Sequence, residues 1–296
     1  MNANAALVDA EAGSTRAVAV APTGVPEAPL AGAPVQAVRP VRRQMPSALI
    51  SVLSVAALTL LWVIVSTSGW LPQGYLPTPK EMGGELQTLF TTGYKGVSIW
   101  HHMGISLFRT LTGFVLGIAI GIPLGLMTGY SRVGSAMVSP IMAFIRPIPP
   151  IAFIPMVVLY FGLGEVGKVV LIFWTAFNYV HVNAHAGAAS VPMAYQRAAQ
   201  SIGLTPAQTF FRVVLPSAIP QIFTGLKVAM ALSWAVVVAA ELTGAQAGLG
   251  YMISDAALTF RISAVFIGIA LIGAIGLLLN VALNALETWL VHWKGR

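Results

Sequence analysis

VPMAYQRAAQSIGLTPAQTFFRVVLP, residues 191–216, interrupts two long apolar runs and indicates how this 296-residue chain is organised. The segment is too polar to cross a membrane and too long for a minimal turn. It predicts a short helix from Pro192 to Ile202 that ends at Gly203, and a second that begins near Thr205 with Pro206 at its first position. An amphipathic surface helix at this place needs a protein partner or the lipid interface.

The composition on both sides of this segment is that of a membrane protein. Hydrophobic residues make up 57% and charged residues 8%, and the mean hydropathy is +0.81, whereas a soluble domain is about one quarter charged. The net charge of +7 indicates basic flanks of membrane helices, and we expect no nucleic-acid partner. The absence of Cys excludes disulfides, thiolate zinc sites and thiol nucleophiles.

Six apolar runs are long enough to cross about 30 Å of hydrocarbon, which takes about 20 helical residues. The runs are Ala48 to Ser66, Ile105 to Gly129, Ser135 to Phe161, Val166 to Ala189, Pro216 to Leu242 and Ile262 to Val291. The expected fold is therefore all-α, a polytopic membrane helix bundle of about six transmembrane helices. A short amphipathic helix is expected from Lys80 to Phe90, between the first two runs.

The first 46 residues differ from the rest of the chain. They are rich in Ala, Pro, Val and Gly and contain no aromatic residue, so we expect a disordered tail. Arg39, Arg42 and Arg43 precede the first run and place that end in the cytoplasm. Six spans return the C-terminus to the same side. Residues 47–296 are thus expected to form one transmembrane domain with both termini cytoplasmic.

Glycines recur every four residues along the second run. They are Gly113, Gly117, Gly121, Gly125 and Gly129. On a helix they form a nearly straight ridge without side chains, which lets another helix approach closely. Tight packing within the chain is the favoured interpretation, and a dimer face or a moving contact remains open.

The third run contains IRPIPPIAFIP, in which prolines follow a lone Arg146. This pattern predicts a broken helix, and irregular backbone at membrane depth requires surrounding protein or a water-filled cavity. The run therefore indicates a transport pathway, although an apolar cytoplasmic loop remains an alternative. Candidate pathway residues are Arg146, Pro149, Pro150, Asn178, His181 and Glu241. Glu241 could also pair with Arg261, while Arg109 is expected to extend toward a membrane interface.

Two other patterns resemble binding motifs but are given a structural interpretation: GLGEVGK as a tight loop between spans, and the His181/His185 pair as polar residues that pair across helices. GLGEVGK, residues 162–168, resembles a phosphate-binding loop, but Val169 follows where Ser or Thr would hold magnesium. His181 and His185 share a helix face, yet VNA between them offers no carboxylate, and Asn178 and Asn183 are poor zinc ligands. We therefore expect no metal, no cofactor and no catalytic residue in this chain.

The 191–216 segment carries a specific family resemblance. Arg197-Ala198-Ala199, Gly203 and Val213-Val214-Leu215-Pro216 resemble the cytoplasmic signature of bacterial ABC importer permeases, which is Glu-Ala-Ala, three residues, Gly, nine residues and Ile-x-Leu-Pro. RPIPPIAFIPMVVLYFGLGE and VVAAELTGAQAGLGYMI also resemble the taurine, aliphatic sulfonate and nitrate branch. The similarity runs from about Ser47 to the C-terminus. Arg197 replaces the usual Glu, so the family's ion pair at this position is not carried over.

The resemblance implies a type I ABC importer permease fold with a coupling helix in the region of about 190–216. This helix would dock on an ATPase subunit, present in two copies, which would bind ATP and Mg. The implied coupling residues are Tyr195, Arg197, Ala198, Ala199, Ser201, Ile202, Gly203 and Leu204. A second copy of the chain, the lipid bilayer and a periplasmic or extracellular substrate-binding protein are the other implied partners.

The expected function is that of a permease in the bacterial inner membrane. It would import a small anionic solute, with taurine, aliphatic sulfonate or nitrate as candidates. The alternative is a self-sufficient secondary transporter or channel, which inverted repeats or intramembrane acids would favour. A membrane-embedded enzyme is a third class, and it would need a catalytic constellation that the sequence lacks.

Overall fold

The structure is a computed structural model that describes Pro46–Trp70, Pro72 and Gly74–Val291. The predicted disordered tail lies outside the described residues, apart from Pro46. The chain divides at Leu53 into two units, Met1–Leu53 and Ser54–Arg296. The described part of the first unit contains only Pro46 and the start of one helix, so the account below concerns the second unit.

The described residues form helices and no β-strand, as predicted for the fold class. The helices are α1 (Ser47–Thr67), α2 (Pro79–Thr91), α3 (Ile99–Tyr130), α4 (Arg132–Ile145), α5 (Ile154–Phe161), α6 (Glu165–Ala189), α7 (Met193–Ser201), α8 (Pro206–Thr209), α9 (Leu215–Leu242), α10 (Leu249–Leu258) and α11 (Ile262–Leu290). A 3-10 turn, Pro150–Phe153, precedes α5, and a π turn, Phe210–Val214, joins α8 to α9. Helix α2 confirms the short helix expected between the first two runs, whereas α10 was not anticipated.

Helices α3 and α6 form the main seam of the protein, and the glycine ridge is its contact line. A Cβ added to Gly117 would lie 2.5 Å from the Ala176 Cβ, and one added to Gly129 would lie 2.3 Å from the His185 carbonyl oxygen. The glycine ridge therefore packs against another helix of the same chain, which was the favoured interpretation of the glycine spacing. Because Gly113 faces Ile172 and Gly129 faces Ala188, the two helices run parallel.

The next two long helices alternate in direction. Gly187 of α6 lies against Ala218 of α9, and Asn183 lies against Gly225, so α9 is antiparallel to α6. Trp234 Nε1 donates to the Ile272 carbonyl oxygen at 3.0 Å. Lys227 pairs with Glu287 further along α11, so α11 in turn runs antiparallel to α9.

The third apolar run is broken, as its prolines predict. Helix α4 and the segment 150–161 meet at 83°, across a break of at most four residues. Since the helices on either side of this pair, α3 and α6, are parallel, the chain must return between them, and the bent pair makes that return.

The count of six spans is not confirmed. Among the described residues, four helices are long and apolar enough to cross a membrane, and the bent pair would be a fifth. The four are Leu49–Thr67, Ile99–Tyr130, Pro206–Leu242 and Ile262–Leu290. Helix α6 has 25 residues, enough for about 38 Å, but its charged and amide side chains lower its hydropathy. The fifth run also begins earlier than Pro216, because α8, the π turn and α9 form one helical stretch.

The long helices of this unit have two distinct ends. The α7 end contains Tyr130, residues 190–214 and Val291, and the Tyr130 and Phe210 rings meet there at 5.4 Å. The α10 end contains residues 74–98, 162–165 and 243–261. Predicted coupling residues are thus collected at one end, and the buried acid Glu241 lies near the other.

Candidate functional site

The predicted coupling helix is present as α7, and local sequence explains both of its ends. Gly203 adopts a φ of +83°, a conformation that suits glycine. Leu204 N donates to the Ala199 carbonyl oxygen at 3.1 Å, and Gly203 N donates to that of Gln200 at 2.9 Å. These two bonds form a Schellman motif, which satisfies the last carbonyl groups of the helix. Gly203 therefore makes the turn, as expected.

A reciprocal cap starts the next helix immediately afterwards. Gln208 N donates to Thr205 Oγ1 at 3.3 Å, and Thr205 N donates to Gln208 Oε1 at 2.9 Å. Pro206 occupies the first helical position, where its missing N–H costs nothing. The predicted coupling segment is therefore a short capped helix and a tight turn held between α6 and α9.

Most of the predicted coupling residues face outward. Six of the eight are exposed: Tyr195, Arg197, Ala198, Ser201, Ile202 and Gly203. Leu204 is half-buried, and Ala199 is only 4% exposed. Ala199 therefore packs inside its own chain. The exposed apolar side chains of Tyr195 and Ile202 lie beside it, and Phe211 of the π turn is exposed at the same end.

Four of the six predicted pathway residues meet beside the broken span. Arg146 and His181 line a cavity of about 190 Å³ between α4 and α6. Arg146, Pro150 and Asn178 line an adjoining cavity of about 30 Å³. Pro149 is exposed and precedes the 3-10 turn, and it lines neither cavity.

The two histidines of α6 share a hydroxyl from α3. Thr128 Oγ1 lies 3.3 Å from His181 Nε2 and 3.1 Å from His185 Nδ1. Among the described residues, no group of three or more His, Cys, Asp or Glu side chains is arranged to hold a metal ion. Through Thr128 the two histidines make a polar contact between α6 and α3.

Glu241 lies away from these cavities, in a buried polar network. Its carboxylate accepts from Ser106 Oγ at 2.8 Å, Arg109 Nη1 at 2.7 Å and Gly250 N at 2.9 Å. The suggested pairing with Arg261 is wrong, since Arg261 pairs with Glu85. A buried carboxylate needs such compensation for its lost hydration, and these donors supply it.

Arg109 does not extend to an interface, because its side chain is 2% exposed. Its Nε and Nη2 donate to the Glu165 carboxylate at 2.5 and 2.6 Å, and its Nη1 also donates to the Ala247 carbonyl oxygen at 2.8 Å. One guanidinium thus connects α3, the start of α6, the end of α9 and the loop after it. The pattern of ionisable residues within apolar runs could have suggested the Arg109–Glu241 pair, but the sequence gives no distance between them.

Two glycines, Gly248 and Gly250, leave the space that the Glu241 carboxylate occupies. A Cβ on Gly248, whose φ is +125°, would lie 2.3 Å from Glu241 Cδ, and one on Gly250 would lie 2.5 Å from the Val238 carbonyl oxygen. Gly248 N also donates to His102 Nδ1 at 3.1 Å. The loop before α10 therefore closes directly over the carboxylate.

GLGEVGK forms the turn between α5 and α6. Gly162 has a φ of +70°, and Lys168 Nζ donates to the Leu163 carbonyl oxygen at 2.8 Å. The lysine is thus used within its own turn, which agrees with reading the motif as a tight loop.

Known proteins match this sequence and fold. A family model described as "Binding-protein-dependent transport system inner membrane component" matches residues 121–295. The taurine transport system permease protein TauC of Escherichia coli (strain K12) is 36% identical over 83% of this chain and 90% of its own length. The putative aliphatic sulfonates transport permease protein SsuC of Bacillus subtilis (strain 168) is 30% identical over 81% of this chain and 85% of its own.

The fold has a counterpart among solved structures. The inward-facing MetNI methionine ABC transporter matches with a TM-score of 0.54 and 21% sequence identity, covering 61% of this chain and 90% of that one. The family model and the two relatives confirm the family resemblance seen in the signature at residues 197–216. The solved structure supports the fold. The chain belongs to the family of binding-protein-dependent transport system inner membrane components, the permease subunits of ABC importers.

Proposed function

We propose that two copies of this chain form the membrane domain of an ABC importer, each docking one ATPase subunit through α7. The observation that carries the proposal is the capped α7 segment, which presents Tyr195, Ala198 and Ile202 outward. Large exposed apolar side chains at a polar helix indicate a protein contact. ATP and Mg would be bound by the ATPase subunits, and this chain would transmit their movement.

The coupling region connects directly to two long helices. Helix α6 ends at Ala189 just before it, and the helical stretch that begins at Pro206 follows it. A displacement of α7 by a closing ATPase dimer would therefore act on both helices at their α7 ends. With α7 docked on an ATPase subunit, the α7 end would lie in the cytoplasm and the α10 end would face the external binding protein. The proposed topology has both chain termini in the cytoplasm.

The proposed substrate is a small anionic solute, with taurine, an aliphatic sulfonate or nitrate as candidates. The TauC and SsuC relatives are named for taurine and aliphatic sulfonates. Arg146 supplies a positive charge to two cavities whose lining contains no Asp or Glu. A cavity lined by one sign of charge attracts ions of the other sign.

Purification of the tagged chain from native membranes in mild detergent tests this function. We expect an ATPase subunit to co-purify in equal amount, and the mass of the complex to correspond to two copies of each subunit. Proteoliposomes containing this complex and its binding protein should then accumulate radiolabelled taurine only when ATP is present on the ATPase side.

The outcome distinguishes the alternative function. A chain that purifies without an ATPase, and that moves taurine, methanesulfonate or nitrate without ATP, would be a secondary transporter or channel. In that case the α7 surface would need a different partner.

A further inference from the structure

The α7 end carries positive charge without a partner in the chain. Three arginines are exposed there, Arg132, Arg197 and Arg212, and no carboxylate of the described residues pairs with any of them. Glu287, near the end of α11, is 8% exposed and pairs with Lys227. The other acids of the described residues lie at or near the α10 end: Glu81, Glu85, Glu165, Glu241 and Asp255. A partner that binds the described part of the α7 end therefore meets positive charge.

Arg197 points away from its own chain. It is the only charged residue of α7, MAYQRAAQS, and Ala199 is the only buried one. Successive helical residues are rotated by about 100°, so Arg197 lies about 160° around the helix from Ala199. Ala194, Ala198 and Ser201 lie beside Arg197, and all three are small and exposed. A partner can therefore approach the helix surface closely around the guanidinium.

The large apolar side chains of α7 favour a protein groove over a lipid surface. Met193 and Tyr195 are 48% and 60% exposed, and their spacing of two residues places them about 160° apart around the helix. A helix that lies in a lipid interface instead collects its large apolar side chains on one face, opposite several basic residues. Helix α7 therefore suits a partner that contacts it from more than one side.

A groove that encloses α7 must also accommodate Arg197. Docking removes water from the guanidinium, and a charge that loses its hydration needs a paired charge in return. Helix α7 contains no acid, and the described residues place no exposed acid at this end. The compensating carboxylate must therefore come from the partner.

We propose that the ATPase subunit presents an Asp or Glu side chain to Arg197 inside the groove that receives α7. The inference rests on the proposed docking of α7 and adds the chemistry of the partner at one position. A guanidinium binds a carboxylate through two parallel N–H donors, which also fixes the orientation of the helix. An ATPase subunit with Lys or Arg at this position would be rejected, since like charges repel.

Charge reversal in the full-length chain tests the ion pair. Arg197→Glu should weaken the binding of the co-purifying ATPase subunit at least about tenfold, because it places two acids in contact. The matched control is Arg132→Glu, which makes the same charge change at the same end outside α7 and should retain the subunit. Since Arg197 is exposed, the melting temperature of the isolated chain should be the same in Arg197→Glu and the unaltered protein. Full retention of the ATPase subunit by Arg197→Glu would overturn the proposal.

Zero-length crosslinking of the complex identifies the carboxylate. Arg197→Lys keeps the charge and introduces the only primary amine of α7. A carbodiimide activates a carboxyl group, and an amine in contact with it displaces the resulting urea to form an amide. Mass spectrometry should then find position 197 joined to an Asp or Glu of the ATPase subunit, and the unaltered chain should give no link from α7. Links from position 197 to acids of this chain alone would refute the proposal.

A compensating exchange completes the test. Replacing the identified carboxylate of the ATPase subunit by Lys should weaken its binding to the unaltered chain and restore its binding to Arg197→Glu, as expected for a direct pair. Equal binding of that ATPase variant to both chains would contradict a direct contact.

The results also separate this inference from the function on which it rests. If Arg197→Glu keeps the ATPase subunit but loses a thermal stabilisation that phosphatidylglycerol gives the unaltered chain, Arg197 contacts lipid; the ion pair is then refuted, and the transport function stands. If no ATPase subunit co-purifies with the unaltered chain, the transport function is refuted, and the ion pair with it.

Discussion

Arg109 illustrates how a charge can be accommodated inside a membrane protein. Four of its N–H groups have partners on Glu165, Glu241 and Ala247, and its side chain is 2% exposed. Removing one member of a buried ion pair leaves the other charge without compensation. The stability of the α10 end therefore depends on keeping both members.

We expect Arg109→Met to lower the free energy of unfolding by about 3–5 kcal/mol, because it leaves Glu241 charged and unpaired. The double variant Arg109→Met with Glu241→Gln should recover part of this loss. Thermal unfolding in detergent, followed by size-exclusion chromatography, measures both. A double variant less stable than the single one would contradict the argument.

Tyr94 gives a prediction for alkaline pH. It is fully buried and donates to Asp255 Oδ2 at 2.7 Å. Burial, followed by this hydrogen bond, raises the pKa of Tyr94 from 10.0 to about 12. Because the folded state holds its proton more tightly, the neutral phenol favours folding below about pH 10, and this contribution is lost as the pH rises toward 12.

Phenolate absorbance measured against pH tests this expectation. When the titration curve of the Tyr94→Phe variant is subtracted from that of the unaltered chain, the difference should show one group that titrates near pH 12. A difference curve centred near pH 10 would show that Tyr94 is not held as described.

At the scale of helices, the α3–α6 seam depends on glycine at particular positions. Gly117 faces Ala176, whereas Gly104 in the same helix has nothing within 4 Å of the place of a Cβ. The two positions form a matched pair, since both are helical and only one is in contact.

We expect Gly117→Ala to destabilise the protein by about 1–3 kcal/mol, because the helices must separate. Gly104→Ala should be neutral or stabilise by up to about 1 kcal/mol, since alanine favours the helix. Melting temperatures of the two variants provide the comparison. If Gly117→Ala melted at the same temperature as Gly104→Ala, the seam would tolerate a methyl group at position 117.

The proposed coupling helix, α7, offers a second matched pair. Ala198 is exposed and Ala199 is 4% exposed. Ala198→Glu should therefore reduce ATPase co-purification while the melting temperature of the isolated chain stays unchanged. Ala199→Glu should lower that melting temperature, because it buries an unpaired carboxylate. If Ala198→Glu retained the full complement of ATPase subunit, α7 would not be the docking helix.

At the scale of the whole molecule, much of the architecture could be predicted from the sequence. The glycine ridge indicated a helix seam, and the prolines indicated the broken span. Gly203 and Thr205 indicated two helix caps. Each of these features depends on residues close together in the sequence, so the sequence alone was enough to predict it. The sequence singled out Arg109 and Glu241 as ionisable residues within apolar runs, but it did not establish their pairing and did not indicate α10, because both depend on which helices become neighbours. The cavities beside Arg146 likewise arise from contact between distant segments.

The orientation of the permease can be tested with single cysteines, because the natural chain contains none. Ser201→Cys lies at the α7 end and Thr91→Cys at the α10 end, and both positions are exposed. A membrane-impermeant thiol reagent should label Thr91→Cys in spheroplasts and Ser201→Cys in inverted vesicles. The unaltered chain is the unlabelled control, and the opposite pattern would invert the proposed topology.

The uninterrupted helical stretch Pro206–Leu242 has a consequence for how this chain can vary in length. One added residue between Leu215 and Glu241 would rotate everything beyond it by about 100° and shift it by about 1.5 Å. The Glu241 carboxylate would then leave the reach of Arg109, while the caps at Gly203 and Thr205 stayed in place. Insertions and deletions accepted during evolution should therefore be absent from this stretch and confined to its flanking loops.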